Sequence, residues 1–265
     1  MGWCTGKRIG ILMMSSPNIA AYAHQAALVN YMYASKHGYG FLVVRCPDAT
    51  EMDADWAYDP HNEYVFVWSK ARMLAHALRL FDVVLFIDSD AYVWDQSITV
   101  ERKVEELMGP EGNGVCFAFA EDCYETGRCS GGGGGPGGSI NAGVVLVRRS
   151  PMTSRILEHW NDPSRDCEEW KYTHPREQKC MDILRASYYS EHIRRVPVKE
   201  MNGLDGTWIK HLMATSDDDR EIHLRDQVAR HIRSIPNSAC YTTWDVVGIA
   251  LVCVALGFML KRRTK

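Results

Sequence analysis

At 265 residues the chain is long enough for one sizeable domain with its own core, or for two small ones. An apolar content of 46% against 24% charged residues excludes a disordered chain. A net charge of -3 with no basic footprint excludes nucleic acid as the main partner and points to small or uncharged ones.

The first element is the run KRIGILMM, a predicted strand; Lys7 and Arg8 precede too few apolar residues for a signal peptide. A helix is predicted from Asn18 to about Lys36, stopped by Gly38, and FLVVRC follows as a second strand. A polar, acidic and aromatic loop then runs to about Tyr64. In SKARMLAHALRLF the apolar residues Met73, Leu74, Ala77, Leu78 and Phe81 recur at the spacing of a helix packed on one face. The next run, VVLFI, is continuous rather than alternating, as in a strand covered on both sides. Strands alternating with helices define an α/β core with a mostly parallel sheet.

That third strand ends on Asp88 and Asp90, spaced by one residue. Two acids at the end of a core strand repel unless a positive group lies between them, and a divalent metal meets that need. The carboxyl edge of an open α/β sheet is also where ligands bind. A strand ending in Asp-x-Asp serves two known chemistries. One is phosphoryl transfer by an aspartate nucleophile, as in haloacid-dehalogenase-like phosphatases; the other is a metal bridging the diphosphate of a nucleotide-sugar. The phosphatase reading is disfavoured because the motif follows two strands and two helices and because Tyr92 stands where such an enzyme carries Thr.

Further along, GVCFAFAE reads as a strand, and a glycine-rich tract at 131–138, unable to hold regular structure, is joined to a further strand, with Asn141, in NAG, lying just before it. MTSRILEHWND and PREQKCMDILRAS read as helices, with Trp160 and Trp208 assigned to the core. Nine cysteines at irregular spacing make neither a disulfide framework nor a zinc site; Cys123 and Cys129, flanking a short loop, are the pair that could join in an oxidising lumen. Residues 237–243 read as a linker. The uncharged run VVGIALVCVALGFML, within 244–260, followed by the basic tail KRRTK at 261–265, is predicted to be a short single-pass membrane anchor suited to a thin membrane such as the endoplasmic reticulum or Golgi. The positive-inside rule and the missing signal peptide give opposite orientations for it.

Five segments taken together, NYMYASKHGYGFLVV, WSKARMLAHALRLFDVVLFIDSDAYVWD, INAGVVLVRRSPMTSRILEHW, REQKCMDIL and GTWIKH, occur in an order that resembles the retaining glycosyltransferases of the galactosyl/mannosyl/xylosyl family. That family includes fungal Golgi galactosyl- and mannosyltransferases and plant xyloglucan xylosyltransferases, and the similarity runs from about Lys7 to about Arg220. It implies a GT-A fold over residues 1–236, Rossmann-like with helices on both faces. The implied ligands are a nucleotide-sugar donor (UDP-galactose, UDP-xylose or GDP-mannose), a glycan or glycoconjugate acceptor, and Mn2+ or another divalent cation. Association with other transferases as a homo- or hetero-oligomer is a further implied partner.

The resemblance also implies site residues. Asp88, Asp90 and His211 would hold the metal; Lys70, Ser89, Asn141, Ala142 and Gly143 would line the nucleotide-sugar, with Gly143 allowing close backbone approach. Glu177 and Gln178 would sit at the sugar-binding face. Retention by front-face attack needs no protein nucleophile, so positioning and electrostatics would supply most of the catalysis. Two features depart from the family. The chain reads LMATSDDD after His211 where a glycine is usual, and the candidate anchor is C-terminal rather than N-terminal. The rival readings are a non-catalytic nucleotide-sugar-binding scaffold and a glycogenin-like retaining transferase.

Overall fold

The structure, a computed structural model, describes residues 6–16, 19–45, 65–122, 139–213 and 215–234. The expected linker, anchor and basic tail, the Cys123/Cys129 pair, the glycine tract 131–138 and the loop 51–64 lie outside the described residues. Among the described residues no helix is long and apolar enough to cross a membrane.

The N-terminal half follows the apolar runs. Strand β1 is Ile9–Ser15, helix α1 is Ala20–His37 and β2 is Gly40–Arg45. Helix α1 stops where predicted because Gly38 adopts φ 71°, a left-handed conformation that costs glycine little, and the following Tyr39 N–H bonds back to the Ala34 carbonyl at 2.9 Å. A short 3-10 turn (Val65–Trp68) leads into α2 (Ser69–Leu80), and β3 (Val83–Ile87) is buried throughout. After β3 come a short strand β4 (Ala91–Val93) and helix α3 (Val100–Met108), whose N-cap Thr99 accepts from the Arg102 N–H.

Strand β5 is Phe117–Glu121 and β6 is Ile140–Arg148. Helix α4 (Pro151–Trp160) starts with Pro151 behind the Ser150 cap, and a single turn α5 (Pro163–Asp166) precedes α6 (Glu177–Ser187). The chain continues through β7 (Ile193–Val196), a single turn α7 (Val198–Met201), β8 (Ile209–His211) and α8 (Asp217–Ser234). Elements β4, α3, β7, β8 and α8 were not among those predicted: the strands are short, and α3 and α8 are rich in charged residues.

The main sheet has six strands in the order β2-β1-β3-β6-β5-β7. Its strands alternate their side chains between two apolar layers. Ile11, Met13, Leu85, Ile87 and Leu146 face α1 and the β4–β8 ribbon, while Leu12, Phe86, Phe117, Phe119 and Val145 face α2, α4 and α6. Trp208 and Trp160, one in each layer, are buried as the sequence reading assigned them.

The expectation of a mostly parallel sheet holds with one exception that matters. Strand β6 runs antiparallel to both β3 and β5, while the β1–β2, β1–β3 and β5–β7 pairs are parallel. Reversal of β6 brings its first residues to the edge where β3 ends: Val144 pairs with Ile87, and the Asp88 N–H donates to the Gly143 carbonyl at 2.7 Å. Asn141 accordingly lies within the strand rather than before it. A separate two-stranded ribbon pairs β4 antiparallel with β8, setting Ala91 opposite His211.

The cysteine reading needs correction. Cys167 and Cys180 form a disulfide with their Cα atoms 5.3 Å apart, tying the turn after α5 to the start of α6, and both are fully buried. Irregular spacing hid this pair because the fold of the intervening segment, not sequence periodicity, brings the two sulfurs together.

Closing a loop across 13 residues restricts the unfolded chain by about 3 kcal/mol in the chain-entropy model. The double replacement Cys167→Ala/Cys180→Ala is expected to lower the urea unfolding free energy by about 2 to 3 kcal/mol. Non-reducing peptide mapping of the wild-type chain should recover the two cysteines in one cross-linked species.

Candidate active site

The turn that follows β3 carries Asp88, Ser89 and Asp90, and the β4–β8 ribbon sets His211 beside it. The Leu212 N–H bonds to the Asp90 carbonyl at 2.9 Å, and His211 Nε2 lies 3.0 Å from Asp90 Oδ1. One ligand atom from each of Asp88, Asp90 and His211 falls within 4.8 Å of the others. Asp88 keeps a solvent-facing edge, with 32% of its side-chain surface accessible against 15% for Asp90 and 6% for His211, so the cluster opens on the Asp88 side.

From the other layer, Lys70 in the first turn of α2 reaches under the same edge. Its Nζ donates to the Ala142 carbonyl at 2.8 Å and to Glu177 Oε1 at 3.2 Å, and lies 3.5 Å from Asp88 Oδ1. Gln178 is held at both ends of its amide: Oε1 accepts from the Ala142 N–H at 3.0 Å and Nε2 donates to Asp122 Oδ2 at 2.6 Å. The indole N–H of buried Trp160 donates to the Glu177 carbonyl at 2.8 Å and fixes the start of α6.

Gly143 has no room for a side chain. A Cβ there would stand 2.9 Å from Asp88 Oδ2, 3.0 Å from Asn141 Oδ1 and closer still to His211 Cε1. The imidazole thus packs directly on the backbone of β6.

The charges hold one another in place. Burial pushes the Asp88 carboxyl up to about 6, with Lys70 pulling against it and Asp90 adding to it. Burial also opposes ionisation of Asp90, yet the neighbouring His211 and Arg220 hold it below the usual carboxylate range. Burial disfavours charge on Lys70 and His211 too, but the carboxylates beside them keep both pKa values above the ordinary ones. Each buried charge therefore depends on a partner.

The predicted residues Lys70, Asp88, Asp90, Asn141, Ala142, Gly143, Glu177, Gln178 and His211 come together at this edge. Two spend their side chains locally. Ser89 Oγ donates to the Met14 carbonyl, tying the turn to the end of β1, and Asn141 Oδ1 accepts from the Gly143 N–H at 2.9 Å. Three residues of the site escaped sequence reasoning. Asp122 lies just beyond the end of β5 and orients Gln178; a strand followed by an acid was a signal available for it, as it was for Asp88. Asn202, fully buried, accepts from His211 Nδ1 at 2.8 Å and so leaves Nε2 to face Asp90. Arg220, in the first turn of α8, lies 3.2 Å from Asp90 Oδ2. Neither of these last two carried a signal in the sequence.

Two carboxylates and an imidazole with its second nitrogen tied to an amide are a donor set that suits a divalent cation. The surrounding buried carboxylates supply the negative charge that a cation would offset. The fold and site thus define a Rossmann-like α/β domain with an acidic, cation-ready cluster at the carboxyl edge of its sheet.

Comparison with solved structures finds this frame in glycosyltransferases. One, a glycosyltransferase involved in the glycosylation of the major capsid of PBCV-1, is 17% identical with a TM-score of 0.59, covering 83% of this chain and 99% of its own. Another, the galactosyltransferase LgtC solved with donor and acceptor sugar analogs, is 14% identical with a TM-score of 0.51, covering 86% of this chain and 98% of its own. At these identities the likeness establishes the fold. No protein-family model and no curated protein sequence matches the chain.

Two substitutions probe the site. Lys70→Ala leaves Glu177 and Asp88 without their buried cation and is expected to cost about 3 to 5 kcal/mol of stability in urea unfolding. Gly143→Ala is expected to dislodge the His211 ring and weaken divalent-cation binding at the cluster about tenfold or more, measured by calorimetric titration.

Proposed function

We propose that this chain is a metal-dependent retaining glycosyltransferase that moves a hexose or pentose from a nucleotide-sugar to a hydroxyl of a glycan or glycoconjugate. The observation that carries this reading is the convergence of Asp88, Asp90 and His211 at the carboxyl edge of a sheet whose frame is that of solved glycosyltransferases. The ordered motifs from Lys7 to Arg220 support the galactosyl/mannosyl/xylosyl family in particular, with UDP-galactose, UDP-xylose and GDP-mannose as the candidate donors.

Asp88, Asp90 and His211 would hold the divalent cation, Mn2+ in the first instance, which when bound offsets the charge building on the leaving diphosphate. The remaining chemistry belongs to the protein. Lys70 fixes Asp88 and Glu177 at a set spacing and anchors both to β6 through the Ala142 carbonyl. Gln178 is pre-oriented by Ala142 and Asp122, so its amide presents a fixed face to the sugar without reorganising. Asp88, Asp90, Asp122 and Glu177 are each engaged by a cation or an amide. This supports front-face transfer by positioning and electrostatics over attack by a protein carboxylate.

The apolar run in 244–260 supports attachment to the endoplasmic reticulum or Golgi membrane. The buried Cys167–Cys180 disulfide favours an oxidising compartment for the domain.

The test is nucleotide release by slow hydrolysis across a panel of UDP- and GDP-sugars with Mn2+. Release from one donor is expected, lost on chelation with EDTA and reduced at least a hundredfold in Asp90→Ala. Metal-dependent nucleotide binding without release, even with acceptor glycans added, would replace the transferase by a non-catalytic scaffold.

A further inference from the structure

Arg220 is absent from the motifs that define the site, yet its guanidinium is built into it. Three of its nitrogens reach three acceptors on separate pieces of chain. Nη2 lies 3.2 Å from Asp90 Oδ2, Nη1 lies 2.8 Å from Asp217 Oδ1, and Nε donates to the Leu212 carbonyl at 3.2 Å. Its carbon centre stands 5.4 Å from the centroid of the buried Tyr22 ring, so α1 closes the remaining face. With 17% of its side-chain surface accessible, this is not a solvent-swept surface pair.

The two oxygens of Asp90 are divided between partners. His211 Nε2 takes Oδ1 and Arg220 Nη2 takes Oδ2. The terminal torsion of an aspartate is broad and roughly two-fold, so a carboxylate gripped at neither oxygen has no fixed plane. A planar guanidinium that is itself locked by Asp217 and the Leu212 carbonyl supplies that grip; a lysine, with one point charge, cannot span the same three acceptors. Leu212 is held from both sides as well, its N–H on the Asp90 carbonyl and its carbonyl on Arg220, so the residue next to His211 belongs to the same lock.

We propose that Arg220 is a positioning residue that clamps Asp90 Oδ2 so that Oδ1 stays turned to His211 in the cluster, completing the cation site from α8. The proposal rests on the metal-site reading above and adds to it that the helix after β8 sets the site's affinity.

The experiment titrates Mn2+ into the metal-free full chain and follows the free ion by its electron paramagnetic resonance signal. Wild type, Arg220→Met and Arg220→Lys are compared, with metal-free thermal unfolding recorded for each. Arg220→Met is expected to raise the Mn2+ Kd about tenfold or more, and Arg220→Lys to raise it comparably despite keeping the charge. A merely structural ion pair would lower the metal-free Tm and leave the Mn2+ Kd of the folded variants unchanged. That result overturns the proposal, as does tighter binding, which would make Arg220 a competitor of the cation. A wild-type chain that binds no Mn2+ overturns the metal-site reading together with this one, whereas wild-type binding with unaltered variants overturns this one alone. If Arg220→Met does not fold, Arg220→Lys, which keeps the aliphatic stem and helix propensity, carries the comparison by itself.

Discussion

Buried carboxylates must be paired, and much of this molecule's organisation follows from that requirement. Asp88, Asp90, Asp122 and Glu177 gather at one edge of the sheet, where each is met by a positive or amide group. Their partners come from scattered parts of the chain: Lys70 from α2, His211 from β8, Arg220 from α8 and Gln178 from α6. The charges hold the elements in register as much as the elements hold the charges. The same network leaves Asp88 with a solvent-facing edge and a raised pKa, at the point where a ligand can reach the cluster.

Two topological devices make this gathering possible. Reversal of β6 puts the segment from Asn141 to Gly143 at the same edge as the end of β3, and the bare backbone of Gly143 lets the His211 ring pack against it. The β4–β8 ribbon, only three residues on each side, brings the two ends of a long sequence interval together by pairing Ala91 with His211. A fully parallel sheet would carry Asn141 to the opposite edge from Asp88. The ribbon sets the register that places His211 beside the Asp90 turn. Asn202 then adds a finer constraint by occupying His211 Nδ1, which directs the other nitrogen inward.

Beneath these polar contacts the apolar layers do the ordinary work of holding the frame. Trp160 illustrates how the two are joined. Its ring is buried among Phe119 and its neighbours, while its N–H donates to the Glu177 carbonyl, so core packing fixes the first turn of α6 that carries Glu177 and Gln178. The disulfide from Cys167 to Cys180 restrains the same helix within the same apolar layer. Rigid support beneath the polar groups is what lets a site of this kind present its charges without reorganising.

Apolar periodicity alone determined the strands β1, β2, β3 and β6 and the helices α1, α2, α4 and α6, because burial on one or two faces imprints a repeat on the residues themselves. The acid pair at the end of β3 likewise stood out because buried like charges next to each other demand a counter-ion. The remaining site residues, His211, Lys70, Glu177 and Gln178 among them, were legible only through the ordered motifs of a resembling family, since none has a local pattern that marks it. Strand direction, the β4–β8 ribbon, the Cys167–Cys180 bond and the roles of Asp122, Asn202 and Arg220 were decided by the tertiary structure. Each depends on a contact between residues distant in sequence or on the course of an irregular segment, and neither leaves a period to read.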